Sequence, residues 1–257
     1  MKYNAEWLKS KERTQRIQTA LINHHLAVSE KYDVIMTVLN GSQNYNLDTS
    51  ESDYDTCSFV VPSIEEIAAL KDPVSTMWEH DDGHINIKDI RLGLNLLKKT
   101  SPNSVEWFAT KWKVVSTKYE DIVDQMDSNP FILRCNTSHM INAINGMSKQ
   151  LSKRNMPKGK VVSHLIRMSC MIDRYFDVKS RILELDEEAQ KTALLAKYAQ
   201  VNQSSDIWNE YVTNITKTIE AKIKMIDMDY FKETEEASKN FITGLQVAFL
   251  ARAMSGS

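Results

Sequence analysis

An apolar segment that ends in Gly-Ser and precedes two closely spaced aspartates most constrains the fold of this 257-residue chain. Residues 33–39 are rich in β-branched side chains and predict a strand, which the turn at Gly41 and Ser42 ends. A second predicted strand begins with Asp53 and Asp55. Because residues i and i+2 of a strand face the same side, the two carboxylates repel each other unless a cation lies between them. Carboxylate oxygens suit Mg²⁺ and a Gly-Ser turn suits phosphate oxygens, so the pattern predicts a site for a metal-bound nucleoside triphosphate.

The same residues have a structural interpretation. Two aspartates spaced by two are common on exposed strands that bind no ligand, and a serine after a glycine is common in ordinary turns. The combination favours the functional interpretation, since the Gly-Ser turn lies at a suitable distance upstream and both segments adjoin apolar strands.

Periodicity along the rest of the chain predicts an α+β fold. A helix is expected at 4–29, the second strand at 53–61, a third strand at 84–88, and only helices after residue 131. The predicted organisation is an α/β unit with a small sheet at residues 1–130, followed by an all-helical unit at residues 131–257.

Composition excludes several classes of protein. The chain is 42% apolar and 26% charged, as in ordinary globular proteins, and no apolar run approaches the ~20 residues that span a membrane. Three cysteines without ligand spacing indicate reduced thiols, so a cytoplasmic location without a membrane partner is expected. His24, His25, His80 and His84 have no zinc-ligand spacing with a cysteine or carboxylate pair, and no zinc site is predicted. The oligomeric state stays open.

Charge is distributed unevenly along the chain. Residues 1–130 carry 14 Lys/Arg and 20 Asp/Glu, whereas residues 131–257 carry 18 and 14. No acidic residue occurs between Asp127 and Asp173, a stretch rich in basic side chains. A solvated basic surface is one interpretation; the complete absence of carboxylates favours an anion-binding surface. Within it, Lys160, His164 and Arg167 have the spacing of one helix face.

Three spaced segments together resemble a known group. Residues 41–55 read Gly-Ser-Gln-Asn-Tyr-Asn-Leu-Asp-Thr-Ser-Glu-Ser-Asp-Tyr-Asp, residues 88–107 run from Lys-Asp-Ile-Arg to Pro-Asn-Ser-Val-Glu-Trp, and residues 158–167 contain a Lys…His-x-x-Arg helix. The first segment resembles the DNA polymerase β-like nucleotidyltransferase superfamily. The three in order resemble its RNA-ligase-associated branch, found in bacteria and phages.

The resemblance implies a polymerase β-like catalytic domain and a metal-dependent transfer of NMP from an NTP to a hydroxyl acceptor. Asp53 and Asp55 would hold Mg²⁺ or Mn²⁺, and Gly41 and Ser42 would cradle phosphates. The basic helix residues Lys160, His164 and Arg167 would bind the triphosphate. An RNA strand is one possible acceptor; the sequence does not choose among acceptors or nucleotides.

Two departures from the family pattern matter. Asn46 replaces a second glycine, and Asn tolerates left-handed backbone better than most residues, so the turn can survive. The position expected to supply a third carboxylate is Asn86, which keeps an oxygen ligand and loses a charge. A one-residue shift would bring in Asp89, although an ideal strand points it to the other face. Just upstream are further candidates if the strand begins earlier: Glu79, Asp81 and Asp82. The alternative is therefore a catalytically impaired nucleotide- or RNA-binding remnant of the same fold.

Overall fold

The structure is a computed structural model that describes residues 5–153, 157–198 and 205–255. Strands in this part of the chain are β1 (Asp33–Leu39), β2 (Thr56–Val61), β3 (Ser75–His80), β4 (Gly83–Asp89) and β5 (Lys113–Val115). Helices in the first half are α1 (Ala5–Lys9), α2 (Lys11–Ser29), α3 (Ile64–Ala68), α4 (Ile90–Lys99), α5 (Pro102–Ala109) and α6 (Glu120–Asp127). Those that follow are α7 (Thr137–Lys153), α8 (Lys158–Tyr175), α9 (Glu187–Tyr198), α10 (Ser205–Lys224) and α11 (Lys232–Met254).

The described strands form one mixed sheet in the order β3-β4-β2-β1-β5. β2 and β4 run parallel and the other neighbours are antiparallel. This confirms the expected α+β class, with a small mixed sheet and a helical C-terminal part. In the part of the chain that the structure covers, no helix is long and apolar enough to cross a membrane.

Local sequence signals account for most element boundaries. The predicted helix at 4–29 is divided at Ser10, whose extended backbone and side-chain oxygen cap α2 by accepting from the Arg13 N–H. Ser63 and Glu66 form a capping box at α3, as their spacing predicts. The second strand begins at Thr56 and not at residue 53, so the aspartates lie in the extended segment before it. The strands β3 and β5 and the helix α6 were not predicted.

The two faces of the sheet have different cores. Helix α2 covers one face, where Ile17 and Leu21 pack against Leu39. The other face packs against α4, α5 and α11, and its core contains Phe59 and Phe249. The C-terminal helix α11 thus contributes to the core of the sheet.

A second core forms mainly among α7, α8, α9 and α10, and Tyr45, Leu47 and Val105 from the first half of the chain also belong to it. An apolar stripe of α8 is buried there, formed by Val161, Leu165, Met168 and Ile172. Because α11 packs in the core of the sheet, the predicted helical unit is not fully separate from the α/β unit. The division at residues 130/131 stays a prediction.

An ion pair fixes the loop between β1 and β2. Arg13 of α2 and Asp48 are almost completely buried, with 2.7 Å between Nη2 and Oδ1. The same guanidinium donates to the Gln43 carbonyl oxygen at 3.0 Å, and the Trp7 indole N–H donates to Asp48. A buried ion pair with several hydrogen bonds favours one loop conformation, because removal of either partner would leave an uncompensated charge.

Candidate active site

Hydrogen bonds hold the Gly-Ser loop against the aspartate segment. The Asn40 backbone N–H donates to the Asp55 carbonyl oxygen at 2.8 Å, which continues the antiparallel pairing of β1 and β2. The Gln43 side-chain amide donates to the Asp53 carbonyl oxygen. The sequence predicts that the turn and the two aspartates belong to one site, and in the structure the two segments are hydrogen-bonded neighbours.

The turn itself requires an unusual backbone. Gly41 has φ 90° and ψ −148°, a conformation that essentially excludes residues with a Cβ. Ser42 begins a short 3₁₀ turn through Tyr45, and Asn46 ends the turn with φ 54° and ψ 42°. Asn46 therefore occupies the left-handed region, as we expected for the residue that replaces the family's second glycine.

The carboxylates of Asp53 and Asp55 lie on the sheet face opposite α2. Tyr54, between them, packs against the α2-side core, and its backbone N–H donates to the Asp82 carbonyl oxygen at 2.8 Å. In an extended segment its two neighbours then face away from α2. A turn in which the Thr49 N–H donates to the Ser52 hydroxyl leads into this segment.

Parallel pairing with β4 determines which side chains lie near Asp55. Thr56 is opposite Ile85 and Cys57 is opposite Asn86, so His84 lies beside Asp55. His84 Nδ1 is 3.1 Å from Asp55 Oδ1, and its backbone N–H points at the same oxygen at 3.3 Å. Sequence reasoning missed His84, because a lone histidine in a strand carries no spacing signal.

The other two predicted metal ligands lie farther along β4. Asn86 is one step beyond His84 on the same face and donates weakly to the Thr56 carbonyl oxygen at 3.4 Å. Asp89 is buried at the end of β4, caps α4, and receives a bidentate ion pair from Arg91 with a shortest distance of 2.7 Å. Because both of its oxygens are engaged and its register partner is Val60, we leave Asp89 out of the proposed metal site.

The same neighbourhood contains a thiol. Cys57 lies opposite Asn86 and is fully buried. Burial raises the pKa of the Cys57 thiol to about 12, which disfavours a reactive thiolate at this position.

A cleft of about 370 Å³ opens between the Gly-Ser loop, α5, α7 and α8. Three predicted triphosphate-binding residues, Gly41, His164 and Arg167, line this cleft. Asn40, the neighbour of Asp55 across the β1–β2 pairing, also lines it. The other predicted site residues do not line the cleft: Ser42, Asp53, Asp55 and Lys160. The cleft therefore adjoins the Gly-Ser loop, and the aspartates lie outside it.

A buried carboxylate organises the wall of the cleft. Glu106 Oε1 accepts from the Gly41 N–H at 2.6 Å and from Asn44 Nδ2 at 3.2 Å. Its other oxygen accepts from the Tyr45 hydroxyl at 3.3 Å and from Arg167 Nη2 at 3.0 Å. Arg167 also stacks on Tyr45, with Cζ 3.8 Å from the ring centroid. Burial by itself would lower the pKa of Arg167, but the Tyr45 hydroxyl and the Glu106 carboxylate together outweigh it and raise the pKa.

The stretch of sequence without acidic residues does not form one continuous basic surface. Arg134 is buried and donates to the carbonyl oxygens of Pro130 and Tyr175, and Arg167 is paired with Glu106. Lys149 pairs with Glu220 on α10 at 3.4 Å. Lys160 is exposed on the first turns of α8, whereas Arg154 lies outside the described residues.

These residues fit a hard divalent cation in part. Asp53 and Asp55 supply carboxylate oxygens at the surface, and Asn86 supplies an amide oxygen on the same sheet face. No third carboxylate is present on this face of β4, where His84 and Asn86 occupy the positions closest to the aspartates. Oxygen donors of this kind suit a hard divalent cation.

A mixed sheet whose Gly-Ser loop is bonded to an Asp-x-Asp segment, with a helical part beside it, defines the polymerase β-like nucleotidyltransferase class. Within that class, the family model of RlaP, described as the RNA repair pathway DNA polymerase beta family, matches residues 13–237. The chain belongs to this family. No curated protein matches the chain.

We expect Glu106→Gln to lower the free energy of unfolding by about 3 kcal/mol or more, because it leaves the Arg167 charge buried without a counter-ion. The new side-chain amide also places an NH₂ group, itself a donor, against donors that now bond to the Glu106 carboxylate. Urea unfolding monitored by circular dichroism measures the change. Glu210→Gln, the same substitution at an exposed position of α10, is the control and should change stability by less than about 0.5 kcal/mol. Equal stability of the two variants would contradict the role given to Glu106.

Proposed function

We propose that this protein is a metal-dependent nucleotidyltransferase that moves an NMP from an NTP to a hydroxyl acceptor and releases pyrophosphate. The observation that supports it most is the direct hydrogen bonding of the Gly-Ser loop to the Asp53–Asp55 segment, in a member of a polymerase β family. Free and mostly buried thiols agree with a cytoplasmic enzyme, which is part of the proposal.

Asp53 and Asp55 are the proposed catalytic residues and metal ligands, with Asn86 as a neutral oxygen ligand. Bound divalent ions would activate the acceptor hydroxyl and neutralise charge on the leaving pyrophosphate. Asp55 has a further partner in His84, which competes for the same oxygen and holds the carboxylate towards β4. The side chains are about half exposed there, so a substrate can reach them.

The proposed triphosphate site consists of Gly41, Ser42, Lys160, His164 and Arg167. Glu106 accepts from the Gly41 N–H, and the Asn44 N–H donates to the Gly41 carbonyl oxygen. The proposed backbone donors to a phosphate are therefore Ser42 and Gln43. Arg167 keeps one face on Tyr45 and one nitrogen on Glu106, an arrangement that presents the rest of the guanidinium to the cleft. Charge-assisted hydrogen bonds of this kind contribute roughly 1.5–3 kcal/mol each.

An RNA end is the acceptor that we favour. The family description refers to an RNA repair pathway, and basic side chains on α8 border the cleft. Partly exposed aromatic side chains are sparse on α7 and α8, which argues for recognition of a strand end and against a long stacking platform.

Asp53→Asn and Asp55→Asn should each reduce nucleotidyl transfer by about 100-fold or more, because the site loses a charge that stabilises the transition state. The assay follows incorporation of radiolabelled NMP into RNA with a free hydroxyl end. Both positions are at the surface, so the fold should be unchanged by circular dichroism. Asp72→Asn, at an exposed loop position, is the matched control and should retain full activity. Wild-type turnover in either active-site variant would refute the assignment.

The second candidate is a nucleotide- or RNA-binding remnant with impaired catalysis, which the neutral Asn86 favours. Asn86→Asp would add the missing carboxylate on the correct sheet face. If the natural protein is an enzyme with a weak second metal site, the variant should need less Mn²⁺ for half-maximal activity. If the natural protein is a remnant, activity should be absent until the substitution is made. Titration of transfer activity against Mn²⁺ in both proteins distinguishes the two.

A further inference from the structure

Three side chains that are far apart in sequence converge on the α2 side of the sheet. His24 comes from α2, His80 from the end of β3, and Asp82 from the turn between β3 and β4. Their donor atoms all lie within 4.8 Å of one another, the one such group of three or more His, Cys, Asp or Glu among the described residues. Asp82 Oδ1 is 2.6 Å from His24 Nε2 and 2.7 Å from His80 Nδ1.

We propose that His24, His80 and Asp82 form a binding site for a transition-metal ion of the zinc class, separate from the proposed Mg²⁺ site. Two imidazole nitrogens and one carboxylate oxygen are the donors that Zn²⁺ and Co²⁺ prefer, whereas Mg²⁺ prefers oxygen ligands alone. The sequence analysis predicts no zinc site because it considers only the spacing of ligands along the chain. The fold brings together ligands that no local spacing could reveal.

The distances and tautomers are compatible with an ion. Ligands bound tetrahedrally at about 2.0–2.2 Å lie roughly 3.3–3.6 Å apart, which small rotations of His80 and Asp82 can reach. Both imidazoles can bind while neutral. Each then carries its proton on the other ring nitrogen, and for His24 that nitrogen, Nδ1, lies 2.8 Å from the Thr56 hydroxyl, which can accept.

Neighbouring groups hold one proposed ligand in place and leave the other two accessible to an ion. His24 is completely buried, and its bond to Thr56 holds the ring in place as an outer-shell contact does in metal sites. About a third of each side chain of His80 and Asp82 is exposed, which leaves a path for the ion and a place for water as a fourth ligand.

The site borders the aspartate segment from the opposite face. The Asp82 carbonyl oxygen accepts from the Tyr54 N–H, and His24 bonds to Thr56. The two contacts flank Asp55 along the chain. A bound ion would therefore stiffen the segment that carries Asp53 and Asp55 without touching their carboxylates.

Calorimetric titration of the full-length, EDTA-treated protein with Zn²⁺, and absorption spectra with Co²⁺, test the proposal. We expect one bound Zn²⁺ per chain, and an absorption spectrum typical of tetrahedrally coordinated Co²⁺. His80→Ala and Asp82→Asn, both near the surface, should weaken Zn²⁺ binding at least about 100-fold. His139→Ala, an exposed histidine on α7, is the matched control and should bind as the natural protein does.

Asp55→Asn separates this site from the proposed catalytic one, since Zn²⁺ binding should persist in that variant. Zn²⁺ should also raise the unfolding temperature of the natural protein and not of His80→Ala. Absence of saturable Zn²⁺ and Co²⁺ binding would overturn the proposal, as would unchanged affinity in His80→Ala. The result does not depend on whether the protein transfers nucleotides.

Discussion

The buried carboxylate of Glu106 is the interaction on which the candidate active site depends. It accepts from the Gly41 N–H of the β1 loop and from Arg167 of α8, and so connects the sheet to the helical part of the chain. Four donors around one carboxylate lower the energy of a charge that would otherwise be costly to bury. The position of the Gly-Ser loop, and with it the mouth of the cleft, follows from this arrangement. The helical part is therefore a structural wall of the site as well as a source of basic side chains.

Much of the fold could be predicted because its signals are local. The capping box at Ser63, the apolar faces of α4 and α8, and the strand before Gly41 each depend on residues within one element. The edge strands β3 and β5 were missed because their residues are mostly exposed or half-buried, so they lack the apolar alternation of a packed strand. The docking of α11 on the sheet was missed because it is a contact between the two ends of the chain.

The candidate site was predictable to a similar extent. The pairing of the turn with Asp53 and Asp55 follows from spacing along the chain, and the left-handed Asn46 follows from its chemistry. The neighbours His84 and Glu106 depend on register and packing between distant segments. The stretch without acidic residues predicts an anion-binding surface, and two of its basic side chains, Arg134 and Arg167, are engaged with groups from elsewhere in the fold. Charge counted along a sequence cannot reveal such partners.

The central claim is that Asp53 and Asp55 hold a metal that binds the triphosphate of an NTP. Calorimetric titration of the four NTPs into the protein, with and without Mn²⁺, tests it most directly. The account predicts NTP binding that requires Mn²⁺ and is abolished in Asp53→Asn. NTP binding that is unchanged without the metal and in Asp53→Asn would contradict it.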